Sequence, residues 1–451
     1  MLCLLSITCL RENITNPRMK RSSLASKMKK TIIIIALMLA SNQVQAQDNG
    51  TGPEKPIGIN EYLAHVAKGN LSYLAGQYNL RIADAALNAA RVFNDPEIAV
   101  AYTDNQDKIL QMGRGLDAGV SYSLNLGNLR GARIGLAKSE KELTALVLQV
   151  YFQNLRAEAA LVYYNALKEK LLADIQQDNL IRMLELAKAD SIRYHAGMIM
   201  EVDARQSAIE ARMQKNEVIR AEATRRISLI QMDLLRGSVG ADSACFPVGS
   251  LEYTLRDFSF PWLVEKAMEN RLELQEARQN QVLSEKMVSL VKASRAMELG
   301  IETGISYSTI ATNEIAPSPS HYAFNLGVSI PLKFSSLNHG QLSASHLAVR
   351  QQEILYQEAR QIILSEVTEA FILYQSQKEQ LDEFHSGLLK EAEIILNNKI
   401  YSYKRGETSL LDVLNAQRTY NEIRKSFYET HYEYLAALIN LERAAGIWDI
   451  E

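Results

Sequence analysis

The stretch GETSLLDVLNAQ, residues 406–417, opens a run of 39 residues, Glu407 to Ala445, that contains neither glycine nor proline and is closed by Gly446. The same punctuation stands 209 residues earlier, where Met198 to Arg236 is a second run of 39 between Gly197 and Gly237. Tyr194, Asp203, Leu229 and Ile230 recur at that offset as Tyr403, Asp412, Leu438 and Ile439. Identity is otherwise low, so the spacing carries the relation. A repeat of this length means that the molecule is built twice.

Working outward, each run of 39 follows a still longer one. Leu136 to Ala196 has no glycine or proline over 61 residues, and Gln341 to Arg405 has only Gly387 over 65. As helices these would each span roughly 90–100 Å at 1.5 Å per residue, far beyond the 11–12 residues of an ordinary globular helix. Ahead of each lie two segments of period 2. In the first half they are residues about 97–105 and 116–126. In the second they are about 299–310 and 321–332. Leading helices are expected from Ile57 to about Phe93 and from Pro261 to Met297. Each half therefore reads as helix, strand, strand, very long helix, long helix. The expected boundaries are 47–237 for the first repeat, 238–260 for an irregular hinge and 261–451 for the second repeat.

The N-terminus has the marks of export. Met28-Lys29-Lys30 is a positive region, Thr31 to Ala40 is an apolar run too short to span a bilayer, and Val44-Gln45-Ala46 places small residues for cleavage after Ala46. The mature chain would start at Gln47, and residues 1–27 read as an extension ahead of the true initiator. No later stretch has 18 apolar residues in a row, so no transmembrane helix follows. A formal charge of −3 over 451 residues leaves no nucleic-acid footprint. Cys245 is the one cysteine beyond Met28, which rules out an internal disulfide in the mature chain and a cysteine metal cage.

The four strands are about 9–12 residues long, the length of a strand crossing an outer membrane. Val120, Tyr122, Leu124, Phe324, Leu326 and Val328 would face lipid. The alternate positions are mostly small or polar, as a lumen wall allows. Unpaired strand edges cannot persist in lipid, and single-chain barrels have at least eight strands. Four strands per chain therefore demand closure by two or more copies.

Two halves of this kind resemble the TolC-type outer-membrane efflux proteins over nearly all of the mature chain. The stretch 406–417 resembles that family's helix-tip turn. LNLGNLRGAR, residues 124–133, looks like the heavy-metal cation efflux branch, with Gly127-Asn128 where that branch typically has paired glycines. The resemblance implies a mainly helical chain with transmembrane strands, and a homotrimer with a twelve-stranded barrel above a periplasmic helical tunnel. It also implies a periplasmic adaptor and an inner-membrane pump as partners, with the adaptor docking at Gly197 and Gly406. Asp412 and Asn415 fall at aperture-lining positions, and Tyr403 and Asp203 at positions that tie neighbouring helices shut.

No catalytic constellation, metal motif or cofactor-binding loop is visible, and the seven histidines are scattered. His339 and His346 read as solvated rather than as ligands, and Met198-Ile199-Met200 as tip packing. The reading is a passive exit duct in the outer membrane for small molecules or metal cations. The alternatives are the outer-membrane component of a protein secretion system, a periplasmic coiled-coil scaffold without a pore and, least, an exported enzyme.

Overall fold

The computed structural model describes residues 55–448, apart from positions 108, 110, 239–244, 252–254 and 338. The targeting region, the cleavage site and the choice of initiator lie outside the described residues. In chain order the elements of the first half are β1 (Lys55–Ile57), α1 (Ile59–Gly69), α2 (Leu71–Ala90), β2 (Glu97–Asp104), β3 (Arg114–Asn125), α3 (Leu129–His195) and α4 (Glu201–Leu235). After β4 (Cys245–Pro247), the second half has α5 (Phe260–Asn270), α6 (Leu272–Arg295), β5 (Glu298–Ser308), β6 (His321–Ser329), α7 (Gly340–Glu383), α8 (Leu389–Lys404) and α9 (Leu410–Ala445). The fold is mainly helical, and the 67 residues of α3 extend about 100 Å.

Glycine ends the long helices in the same way in both halves. Gly197 (φ 73°) and Gly406 (φ 77°) adopt the left-handed conformation that costs other residues most. In each turn the next residue bonds back five positions: Met198 N–H donates to the Arg193 carbonyl (2.8 Å) and Glu407 N–H to that of Ser402 (3.0 Å). At the other end of the hairpins, Ser238 N–H reaches Asp233 (3.0 Å) and Ile447 N–H reaches Glu442 (2.9 Å).

The leading helices differ from expectation, because each is two helices rather than one. The breaks fall at Asn70 (φ −63°, ψ 117°) and Arg271 (φ −63°, ψ 119°), both extended. Each break docks on the end of its half's last long helix. Asn70 donates to the Leu235 carbonyl (3.1 Å), and Arg271 to the Ala444 carbonyl (3.0 Å). Leu235 and Ala444 are related by the 209-residue offset. Periodicity cannot reveal such a break, since the apolar stripe continues through it. The counterpart of α3 is also interrupted, at a π turn, Phe384–Leu388. The segment between the halves is not wholly irregular: β4 pairs in parallel with β1, and Tyr163 of α3 donates to the Val248 carbonyl beside them (2.6 Å).

The remaining strands form one antiparallel sheet in the order β2-β3-β5-β6. Residues opposite one another across an antiparallel sheet share a face. The register Ile98–Val120–Thr303–Leu326 and Val100–Ala118–Ile305–Phe324 gathers apolar side chains on one face. The rows Glu97–Ser121–Glu302–Gly327 and Ala99–Gly119–Gly304–Asn325 form the other. β2 and β6 each have a partner on one side only. The strands end slightly earlier than the alternation implied, β6 at Ser329 rather than near Leu332.

The apolar cores lie among the helices. Tyr163 and Leu167 of the first half anchor the larger cluster, which Ile439 of α9 joins, and Leu263, Val367, Tyr374 and Tyr434 anchor a second one. A smaller cluster, with Met183, Ala211, Tyr403 and Val413, sits by the tips.

Candidate functional site at the helix tips and the strand sheet

The two tips arise from related sequence but differ in chemistry. In the second, Ser409 caps α9: its hydroxyl accepts from Asp412 N–H (3.2 Å), and the Asp412 carboxylate accepts from Ser409 N–H (3.2 Å). The Thr408 and Ser409 hydroxyls also donate to that carboxylate, each at 2.8 Å. All three bonds to the carboxylate fall on Oδ2. This is a reciprocal capping box. The Ser409 hydroxyl bond, then those of Thr408 and the Ser409 backbone, hold the Asp412 carboxyl down to about 2. Asn415, one turn along α9, is exposed.

In the first tip Met198-Ile199-Met200 replaces Glu407-Thr408-Ser409, and Met200 offers no side-chain cap. Asp203 stands where Asp412 stands but has no capping hydroxyl across from it. Met198 and Met200 are 72% and 73% exposed, so they do not pack the tip as the sequence reading expected.

Tyr403 of α8 bonds to Asp190 of α3. Its hydroxyl donates to Asp190 Oδ1 at 2.9 Å, and both residues are buried. Arg193 stacks over the Tyr403 ring (4.7 Å) and lies 3.9 Å from the same carboxylate oxygen. Asp190 Oδ2 is buried with no hydrogen-bond partner. Burial pushes the Asp190 carboxyl above its ordinary value, with Asp203 adding to the rise and Tyr403, Ser207 and Arg193 opposing it. Burial, and then the bond to Asp190, likewise raises the Tyr403 phenol. Further along the hairpins, Gln417 of α9 donates to Asn179 of α3 (3.1 Å), and Arg418 pairs with Glu210 of α4 (2.9 Å).

The sequence reading missed Asp190 and Arg193. One sign of them was available. An acid close to a helix C-terminus opposes the helix dipole and needs a partner, and Asp190 lies five residues before the end of α3.

On the sheet, Val120, Leu124, Phe324, Leu326 and Val328 are exposed and Tyr122 is half-buried, all on the apolar face. The opposite face holds Glu97, Asp117, Glu298 and Glu302 among small residues and carries no lysine or arginine along the four strands. Lys333 pairs with Glu298 at 3.3 Å. Below the sheet, residues 124–133 make the turn into α3. Asn125 accepts from Gly127 N–H (2.9 Å), and Asn128, left-handed at φ 56°, accepts from Gly131 N–H (3.2 Å). Asparagine tolerates that conformation better than most residues, so it serves where a second glycine was expected. Arg130 donates to the Arg91 carbonyl and stacks on Phe93 at 4.0 Å.

Among the described residues no three metal-ligating side chains stand together, and no helix is long and apolar enough to cross a membrane. His339 and His346 are exposed.

Residues 263–447 match the model of the outer membrane efflux protein family. The cobalt-zinc-cadmium resistance protein CzcC of Cupriavidus metallidurans is 23% identical over 429 residues, covering 92% of this chain and 98% of CzcC. A solved structure of CusC superposes with a TM-score of 0.70 at 17% identity, covering 86% of this chain and 92% of CusC. The open state of the Neisseria gonorrhoeae MtrE outer membrane channel gives 0.68 at 15% identity, covering 86% and 89%. That fold spans both halves and the family's sequence match lies in the second, so the chain is similar to the TolC-type outer-membrane efflux proteins.

The capping box predicts a pH response. A depressed folded-state pKa gives stability that is present above the ordinary value of 3.8 and is lost as the pH falls toward about 2. The unfolding temperature of the wild type should therefore drop further across that window than that of Asp412→Asn. Thermal melts followed by circular dichroism test this, and parallel curves for the two proteins would contradict it.

Proposed function

We propose that this protein is the outer-membrane exit duct of a tripartite efflux system and that its cargo is divalent metal cations. The observation that carries the duct reading is the sheet: four strands with one apolar face, one small and acidic face, and two unpaired edges. In lipid each unsatisfied backbone group costs several kcal/mol, so copies of the chain join β2 of one to β6 of the next. Three copies give twelve strands. Val120, Tyr122, Leu124, Phe324, Leu326 and Val328 then face lipid, and the acidic face lines the lumen. The helices continue below as a periplasmic tunnel whose tips form the aperture.

In that arrangement the Tyr403–Asp190–Arg193 cluster holds the second hairpin to the first, while Asp412 and Asn415 stand by the opening. Asp203 contributes negative charge behind the latch. The turns at Gly197 and Gly406 offer docking points to a periplasmic adaptor, which links the duct to an inner-membrane pump. Cargo passes without chemistry. Glu97, Asp117 and Glu302, repeated in every copy, favour cations in the lumen. The likeness to CzcC supports the same cargo class.

Disruption of the gene in its own host tests the cargo. The disrupted strain should become several-fold more sensitive to cobalt, zinc or cadmium, and the wild-type gene should restore resistance. Sensitisation to organic compounds alone would move the cargo assignment away from metals.

A further inference from the structure

Directly below the sheet, α3 and α6 part to leave a cleft of about 490 Å³. Gly127, Asn128, Gly131 and Gly135 at the start of α3 form its floor, and Lys286 and Lys292 of α6 flank it. A Cβ at Gly127 would strike Ala296 and the Ala293 carbonyl, so that glycine lets the two helices close. A Cβ at Gly135 would meet only Lys286 Cδ, at 3.9 Å. Glycine inside a helix is less stable than alanine, and packing does not call for it at Gly135. Its missing side chain keeps the floor of the cleft open.

The cleft is cationic. Neither Lys286 nor Lys292 has a carboxylate partner among the described residues, whereas Lys138 reaches Glu142 (3.8 Å) and Lys333 reaches Glu298 (3.3 Å). Asn128 accepts from Gly131 N–H through Oδ1 (3.2 Å), which leaves its Nδ2 to donate. The repeat does not demand these charges. The last turns of α2, the counterpart of α6, read ADAALNAA over residues 83–90 and carry no lysine.

The upper rim of the cleft runs into the apolar face of the sheet. Leu126 continues the row of Val120, Tyr122 and Leu124, and its N–H donates to the Met297 carbonyl (3.0 Å). Both side chains are exposed, and they directly adjoin Gly127 and Ala296 in the chain. A strand that leaves the hydrocarbon here meets the head-group layer at the first turns of its helix.

We propose that the cleft binds the head group of an anionic phospholipid from the periplasmic leaflet. The phosphate lies between Lys286 and Lys292 and accepts from Asn128 Nδ2, and the acyl chains rise along Leu126 and Met297. This rests on reading the apolar face as lipid-facing. Basic pockets at the ends of membrane segments are recurrent head-group sites, and lysine serves phosphate as a compact point charge. A lipid held there fixes the depth at which the helices leave the membrane.

Native mass spectrometry of the purified assembly in mild detergent tests this with phosphatidylglycerol as the probe. The wild type should retain one phosphatidylglycerol per chain. Lys286→Gln together with Lys292→Gln should weaken that binding by roughly 10–30-fold. Gly135→Leu, which fills the floor and keeps both lysines, should abolish it. Undiminished binding by the lysine variant would remove the charge argument, and undiminished binding by Gly135→Leu would reduce the site to loose attraction at a basic surface; either overturns the proposal.

A comparison on the wild type needs no variant to fold. Zwitterionic phosphatidylethanolamine should bind roughly 10-fold more weakly than phosphatidylglycerol, and equal binding would overturn the site. Displacement of the lipid by inorganic phosphate at the same concentration would also overturn it, by showing an anion site with no part for the acyl chains. An assembly that conducts in bilayers but binds no phosphatidylglycerol removes the lipid site alone. One that neither binds the lipid nor enters a bilayer removes the lipid-facing sheet as well.

Discussion

Replacing Asp190 with alanine should open the resting channel. In the wild type its buried carboxylate accepts the Tyr403 hydroxyl at 2.9 Å and lies 3.9 Å from the Arg193 guanidinium. Truncation leaves a buried phenol and a partly buried cation without their acceptor, and only in the closed arrangement. Hydrogen bonds to charged groups contribute about 1.5–3 kcal/mol each. With about 1.4 kcal/mol per factor of ten, the closed-to-open ratio should fall by roughly 10–100-fold per copy. Asp190→Asn, which keeps an acceptor for Tyr403 but not the charge, should fall between the two. Single-channel recordings of the three proteins measure this. Equal open probabilities would show that the cluster is a packing feature of the hairpins and not a latch.

Arginine at Val120 or Leu326 should nearly abolish assembly in the membrane, whereas arginine at Ser121 or Asn325 should be tolerated. Val120 and Leu326 share one register row and so one face, and Ser121 and Asn325 lie on the other. Arginine on the lipid side costs about 2–4 kcal/mol near the bilayer midplane. Repetition in every copy of the proposed trimer multiplies that cost, which is comparable in sum to the whole stability of many domains. On the lumen side the same residue stays in water beside Asp117 and Glu302. The yield of heat-modifiable oligomer in outer-membrane fractions reports the outcome. Equal yields for the two pairs would mean that the faces are assigned the wrong way round or that the sheet does not cross lipid.

Much of this architecture is legible because it is written in punctuation and alternation. Gly197, Gly237, Gly406 and Gly446 all adopt the left-handed turn, a local demand that one residue type signals. The strands alternate because their two faces meet different environments, and the observed register keeps the apolar rows together across all four. What the sequence hides is where an element stops for a reason outside itself. Asn70 and Arg271 break their helices to cap a carbonyl more than 160 residues away, and nothing local distinguishes them from ordinary polar residues on a stripe. The tip shows the same limit. Tyr403 stood out by its place in the repeat, but its partner Asp190 lies 213 residues away on a helix with no motif around it. Asp412 and Asp203 occupy equivalent places in the repeat, and the resemblance gave them different roles, the first lining the aperture and the second tying helices. The neighbouring Ser409 and Met200 make one a helix cap and leave the other uncapped.

Closure of a continuous pore by copies of this chain is tested most directly by planar-bilayer recording from the purified, detergent-extracted protein. A homotrimer, its mass confirmed in the same preparation, should insert as discrete conducting units with a preference for cations. A monomeric preparation, or a trimer that never conducts even with Asp190→Ala, would contradict it.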